Sequence, residues 1–116
     1  MSDSDDTAGV AAIAADYVEG WYTGDVARMD RALHPDLVKR TMTDEGLRAV
    51  TKERMLDMTG QGGGEDPSAE FEITVDHLSD TIASAHVLSP EYLDYLHLQK
   101  TADGWKIVNV LFRTHG

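Results

Sequence analysis

The chain contains no cysteine, so neither a disulfide framework nor thiolate chemistry is available to it, and it needs no oxidising compartment. Long apolar runs are missing as well. The longest, residues 10–15, is a stretch of Val, Ala and Ile that falls far short of the ~20 residues a bilayer crossing takes. Positive charge is scarce. Ten basic against twenty-one acidic side chains leave a formal charge of -11. That charge repels phosphate backbones and anionic lipid headgroups over roughly 8 Å at physiological salt, so neither nucleic acid nor a membrane is an expected partner. The opening MSDSDDTAG is acidic where a secretory signal is basic, which makes the cytoplasm the expected location.

What is there suffices for one core. A chain of 116 residues removes roughly two thirds of its extended surface from water on folding. Residues 1–5 read as a flexible acidic N-terminus and 6–116 as a single domain. Val10, Ile13, Ala14, Tyr17, Val18 and Trp21 recur at the spacing of one helical face, predicting a helix over 6–22. Asp3, Asp5 and Asp6 stand at the positive end of its dipole, and Gly24 marks its exit. Asp25 reads as the cap of a short second helix carrying Val26, Met29 and Leu33 inward and ended by Pro35. Residues 37–42 predict a short strand and 43–46 a turn. Thr51 then caps a third helix over 52–59, with Met55, Leu56 and Met58 as its apolar positions and Gly60 as its stop. The stretch GQGGGEDPS (60–68) reads as a mobile loop and lacks the Lys-Ser/Thr pair of a phosphate loop.

In the second half the hydrophobic period changes from about 3.6 to 2. Phe71, Ile73 and Val75 alternate with Glu72, Thr74 and Asp76, a turn follows at Ser79-Asp80, and a second strand covers 81–88 before Pro90. EYLDYLHLQ (91–99) is a third, with Tyr92, Asp94, Leu96 and Leu98 on one face and Leu93, Tyr95, His97 and Gln99 on the other. Asp103-Gly104 is a hairpin signal leading into a last strand over 105–114. There Trp105, Ile107 and Leu111 share one face while Val108, Val110 and Phe112 share the other. Both faces are apolar, so both should be covered: one by the helices, the other by a second copy of the chain, as a homodimer through the outer face of the sheet.

The segments DYVEGWYTGD (16–25), LHPDL (33–37), DYLHLQK (94–100) and DGWKIVN (103–109), in this order of elements, resemble the nuclear transport factor 2-like superfamily, and within it the branch described as putative lumazine-binding. The resemblance implies an α+β fold: a cone-shaped barrel of a strongly curved, mostly antiparallel sheet whose concave face is covered by three N-terminal helices. The superfamily includes ketosteroid isomerase and polyketide cyclases. By place in the chain, Tyr17 and Asp94 match the isomerase's oxyanion-hole tyrosine and protonated acid. Where that enzyme has its proton-shuttling acid, this chain has Arg40 and Thr41, and a guanidinium cannot abstract a carbon acid's proton at neutral pH.

If Asp94 faces the interior, it is either a neutral donor or an anion paired with Arg40, in a wall that is otherwise apolar. Ala83, Ala85, Val87 and Ser89 would line the same wall, leaving room for a ligand unless Tyr17 or Trp21 fills it. The implied function is a binding domain for a small, largely apolar, cyclic or aromatic molecule, contacted by Tyr17, Trp21, Arg40, Val87, Tyr92, Asp94, Val110 and Phe112. The alternative is an isomerase, dehydratase or cyclase acting through an enolate, with Tyr17 and Asp94 as oxyanion donors and His34 as the base. A third possibility, a partner-binding domain with a collapsed core, predicts no enclosed cavity of even about 300 Å³. His77, His86 and His97 invite a metal, but alternation puts His86 and His97 on the face opposite Asp94, and no metal or cofactor is expected.

Overall fold

The acidic start and the alanine-rich run that follows form helix α1, Asp3–Thr23, in the computed structural model, which describes residues 3–64 and 66–115 and omits the side chains of residues 3 and 4. Of the acidic segment 1–5, residues 1 and 2 lie outside the described residues. Val10, Ala14, Tyr17, Val18 and Tyr22 form the buried stripe of α1. Asp6 ties the first turn to the far end of the sheet, accepting from Lys100 Nζ at 2.8 Å and Trp105 Nε1 at 3.3 Å.

Gly24, at φ +70°, supplies the left-handed residue that ends the helix. Asp25 then caps α2, Val26–Ala32, by accepting from the Arg28 amide at 3.1 Å. Two expectations need correction here. Val26 is 38% exposed rather than inward, and α2 stops at Ala32, three residues before Pro35. Leu33 is already extended, and Pro35 lies inside strand β1, Leu33–Thr43, where the register against its neighbour shifts between Leu33 and Val38. A residue without an amide is tolerated at such an irregularity. The two helices are locked by Asp16, which accepts from Arg28 Nε at 3.0 Å and from Arg31 Nε and Nη2 at 2.8 and 2.9 Å, while Arg28 also pairs with Glu19.

The remaining elements are β2 (Gly46–Thr51), α3 (Lys52–Gly60), β3 (Glu72–Ser79), β4 (Ile82–Leu88), β5 (Tyr92–Thr101) and β6 (Gly104–Thr114). They form a six-stranded sheet in the order β2-β1-β6-β5-β4-β3, antiparallel except where β1 meets β6. The sheet curls like a cone with the helices on its concave side, an α+β architecture. Strand β2 has no counterpart among the elements that the hydrophobic pattern predicts. Both tight hairpins that flank it and β6 close alike. Gly46 and Gly104 take φ of +108° and +100°, and Thr43 and Thr101 donate their hydroxyls to those glycines' carbonyls at 2.8 and 2.7 Å. The second turn is therefore centred on residues 102–103, with Gly104 pairing back to Thr101.

The last strand departs from simple alternation. His97 pairs with Asn109 and Leu98 with Ile107, which leaves Val108 as an extra residue. A bulge of this kind moves every later side chain to the opposite face. Trp105 and Ile107 point into the core before it, and Val110 points in after it. Leu111, expected to share the face of Trp105, is instead 49% exposed on the outside.

The glycine-rich loop is docked on α1. Gly64 donates its amide to the Trp21 carbonyl at 3.0 Å, and Asp66 donates to the Tyr22 carbonyl at 2.8 Å. Glycine is what lets the backbones approach: a Cβ at Gly63, where φ is +48°, would stand 2.5 Å from the Trp21 oxygen.

Candidate functional site

Alternation along β5 turns Asp94, Leu96 and Leu98 inward, with Tyr95 and His97 exposed. Asp94 is 4% exposed, so its carboxyl must find partners inside. It accepts from the Tyr17 hydroxyl of α1 at 3.4 Å, and that hydroxyl in turn accepts from Lys39 Nζ of β1 at 2.5 Å. Three rings surround the amine: Phe112, Tyr17 and Trp21, whose centroids lie 4.5, 5.0 and 5.8 Å from Nζ. Beside this chain the Tyr22 hydroxyl donates to Ser89 Oγ at 3.0 Å.

Burial dominates the electrostatics. It raises the Asp94 carboxyl above the ordinary 3.8, against the opposing pull of the Lys39 charge and the Tyr17 hydrogen bond. It lowers the Lys39 amine from 10.5, with the Asp94 charge pulling the other way. Tyr17 is pushed well above 10.0, first by burial and then by the Asp94 charge. The acid is thus raised and the amine lowered by the same burial, and the phenol between them is held in its neutral form.

The hollow expected beside Asp94 is filled. Tyr17, Val18, Trp21, Tyr22, Lys39 and Tyr92 leave a space of only about 10 Å³ there, at the threshold for a single water. Lys39, Trp21 and Tyr92 also wall a second space, about 180 Å³, completed by Thr41, Arg48, Val50, Met55, Met58 and Phe112. This pocket lies under the ~300 Å³ of an ordinary ligand site, the outcome that the collapsed-core reading predicts. The indole N–H of Trp21 is buried without an acceptor among the described residues, but it faces the glycine-rich loop, where a Cβ on Gly64 would stand 2.9 Å from Nε1.

The sequence-predicted residues divide into two groups. Tyr17, Trp21, Tyr92, Asp94 and Phe112 come together around the two spaces. Val87 and Val110 are fully buried beside them in the sheet, Val87 directly opposite Asp94, without bordering either space. Arg40 is a correction. It sits on the outer face and donates to Asn109 Oδ1 at 3.3 Å, because buried Leu37 sets the inward parity of β1 as 37, 39 and 41. Lys39 therefore takes the place beside Asp94 that Arg40 was expected to hold. His34 is at the other end of β1, where its Nδ1 accepts from the Asp36 amide at 3.0 Å, and it borders neither space. Lys39, Arg48, Val50, Met55 and Met58 were not anticipated as pocket residues. The parity of Leu37 was the one signal able to reveal Lys39.

The opposite face of the sheet carries a larger open groove of about 660 Å³, bordered by Thr74, His86, Leu88, Leu93, Tyr95 and His97. It has none of the buried polar groups of the inner site. His86 Nδ1 lies 2.8 Å from Asp76 Oδ2, and His97 Nδ1 lies 3.2 Å from Asn109 Nδ2. Among the described residues no group of three or more His, Asp or Glu is placed to hold a metal ion.

Residues 5–113 match the family described as putative lumazine-binding. The fold is similar to that of a nuclear transport factor 2-like protein of unknown function from Silicibacter pomeroyi, with a TM-score of 0.88 and 18% identity over 99% of this chain and 100% of that one. A second such protein, from Shewanella baltica, gives 0.89 and 18% over 100% and 98%. A ketosteroid isomerase-like protein from Erwinia carotovora atroseptica gives 0.70 and 16% over 94% and 95%. A search of curated proteins returned no match.

Proposed function

The chain belongs to the putative lumazine-binding family, with the nuclear transport factor 2-like fold, and from that membership we propose that it binds a small, largely apolar, flat organic molecule in the pocket between α1, α3 and the concave side of the sheet. One observation carries the reading: the apolar pocket of about 180 Å³ ends on Lys39, and through Lys39 on the buried Tyr17–Asp94 pair. Apolar walls with a few convergent polar groups are what such sites are built from. The volume corresponds to about six waters at ~30 Å³ each, so the ligand is small or shifts the Lys39 side chain on entry.

A thermal-shift screen of lumazine and other flat heterocycles and aromatics is the test. A binder should raise the melting temperature in step with RT ln(1 + [L]/Kd), and Phe112→Ala should remove the rise. A flat response across the screen would count against the pocket. An enolate-type isomerase, dehydratase or cyclase is a second reading, favoured by the hydrogen bond from Tyr17 to Asp94. In it Lys39 stands where a base is needed, in place of His34.

The chain is further proposed to work as a homodimer through the outer face of the sheet. Tyr95 and Leu111 are directly paired there and 55% and 49% exposed, with Leu88 alongside at 43%. Neither nucleic acid nor a membrane enters this reading. The charge of -11 opposes nucleic acid, and among the described residues no helix is long and apolar enough to cross a membrane. A cytoplasmic setting suits a chain without cysteine, which needs no oxidising compartment.

A further inference from the structure

We propose that Lys39 is a carbonyl-reactive amine, whose Nζ, held between the Tyr17 hydroxyl and the adjoining pocket, forms an imine with a small aldehyde or ketone lying against Trp21, Tyr92 and Phe112. This rests on the pocket reading above and adds the chemical class of its ligand. Three features of the geometry support it. The amine is packed against Phe112, Tyr17 and Trp21, with ring centroids within 5.8 Å, and two of these rings also wall the pocket. Its hydrogen-bond partner is a hydroxyl rather than a carboxylate, and burial holds its pKa below that of an ordinary lysine. The Lys39 side chain lines the pocket, from which a carbonyl carbon would approach the amine.

The step balances with groups on the page. The neutral amine attacks the carbonyl carbon, a C–N bond forms, and the carbonyl oxygen takes up a proton to give a carbinolamine. Tyr17, which stands between the amine and Asp94, donates a second proton to that oxygen, the C–O bond breaks, and water leaves with one hydrogen from the nitrogen and one from Tyr17. A C=N bond remains, nothing is oxidised or reduced, and the Tyr17 proton is restored from the nitrogen or from Asp94. This is the role a positioned acid plays in dehydration steps.

Arg48 refines the ligand. Lys39 pairs across the strands with Val50, and Thr41 pairs with Arg48, so the guanidinium is rooted one pleat repeat, about 7 Å, along the same face. Arg48 has no hydrogen bond or ion pair among the described residues, though the chain is strongly acidic. A carbonyl compound with an acidic group at its other end would engage both cations.

The test uses 4-carboxybenzaldehyde and, as its non-carbonyl counterpart, 4-(hydroxymethyl)benzoate. The full-length protein is incubated with the aldehyde at pH 7 and sodium cyanoborohydride, then weighed intact and mapped by peptides. The expected result is one adduct, heavier by the mass of the probe less one oxygen, on Lys39 and on none of Lys52, Lys100 or Lys106. Lys39→Met should lose at least nine tenths of the labelling; because mapping of the unsubstituted protein assigns the site on its own, the test survives a variant that fails to fold. Labelling spread evenly over the four lysines overturns the proposal. So does a melting-temperature rise with both compounds and no adduct, which leaves the binding pocket standing. No rise with either compound and no adduct overturns the imine and speaks against binding of such ligands.

Discussion

Lys39 and Asp94, on strands at opposite sides of β6, are joined by a single phenol. Tyr17 accepts from the Lys39 amine at 2.5 Å and donates to the Asp94 carboxyl at 3.4 Å, so one side chain of α1 connects a buried acid and a half-buried base of the sheet. Tyr17→Phe keeps the ring and deletes the link. Buried Asp94 and half-buried Lys39 then lack their shared partner, at a cost of about 1–3 kcal/mol. The expected outcome is a lower urea midpoint with an unchanged slope. A midpoint equal to that of the parent would mean that Lys39 and Asp94 satisfy each other directly.

Asp16 gives the fold an acid-sensitive lock. Its hydrogen bonds from Arg31, and then from Arg28, outweigh burial and hold the carboxyl below the ordinary 3.8. A carboxyl whose pKa is lower in the folded than in the unfolded chain contributes fully above the unfolded value, and the contribution is lost as the pH falls through the folded one. Asp16→Asn should therefore cost about 1–2 kcal/mol at pH 7, a figure reduced for the solvent around Arg31. The difference between variant and parent should shrink as the pH falls from the ordinary 3.8 through the lower pKa of the folded carboxyl. Chemical denaturation at several pH values measures it, and a gap that stays constant with pH would exclude the charge as its cause.

The outer face predicts the state of assembly. Tyr95 and Leu111 face each other across β5 and β6, and Tyr95 meets the His86 ring edge-on with centroids 6.2 Å apart. Replacing Tyr95 and Leu111 together with Lys puts two like charges on that patch without touching the core. Sedimentation should show a dimer for the parent and a monomer for the double variant, with the helical circular-dichroism signal unchanged. A monomeric parent at micromolar concentration would remove the interface.

The inner wall of β5 was legible because residues 94–98 alternate buried and exposed, so the inward turn of Asp94 and the outward turn of His97 follow from parity alone. The family resemblance carried the fold, and the family match over residues 5–113 agrees with it. Three local features escaped the sequence. Lys39 and Arg40 are adjacent and both basic, so choosing between them required the parity of β1, which Pro35 and the register shift before Val38 obscure. The bulge at Val108 adds one residue among apolar neighbours, where hydrophobicity does not mark it. Strand β2 is a short edge strand whose Leu47 is 62% exposed, and a strand held chiefly by backbone pairing leaves little hydrophobic pattern. The open interior was inferred from small residues on β4, yet aromatic rings of α1 occupy that volume, and ring placement depends on side-chain packing that composition does not encode.

The pairing of β1 with β6 has a consequence for how the molecule is made. A ribosome delivers the three helices and the first hairpin early, but the neighbour that β1 requires, residues 104–114, emerges only near the end. Until then the inner edge of β1 has unpaired amides and carbonyls, and the concave layer has no finished wall to close on. Biogenesis should therefore be an all-or-nothing event gated by the last strand, so that a premature stop codon before residue 104 yields a chaperone client rather than a smaller working domain.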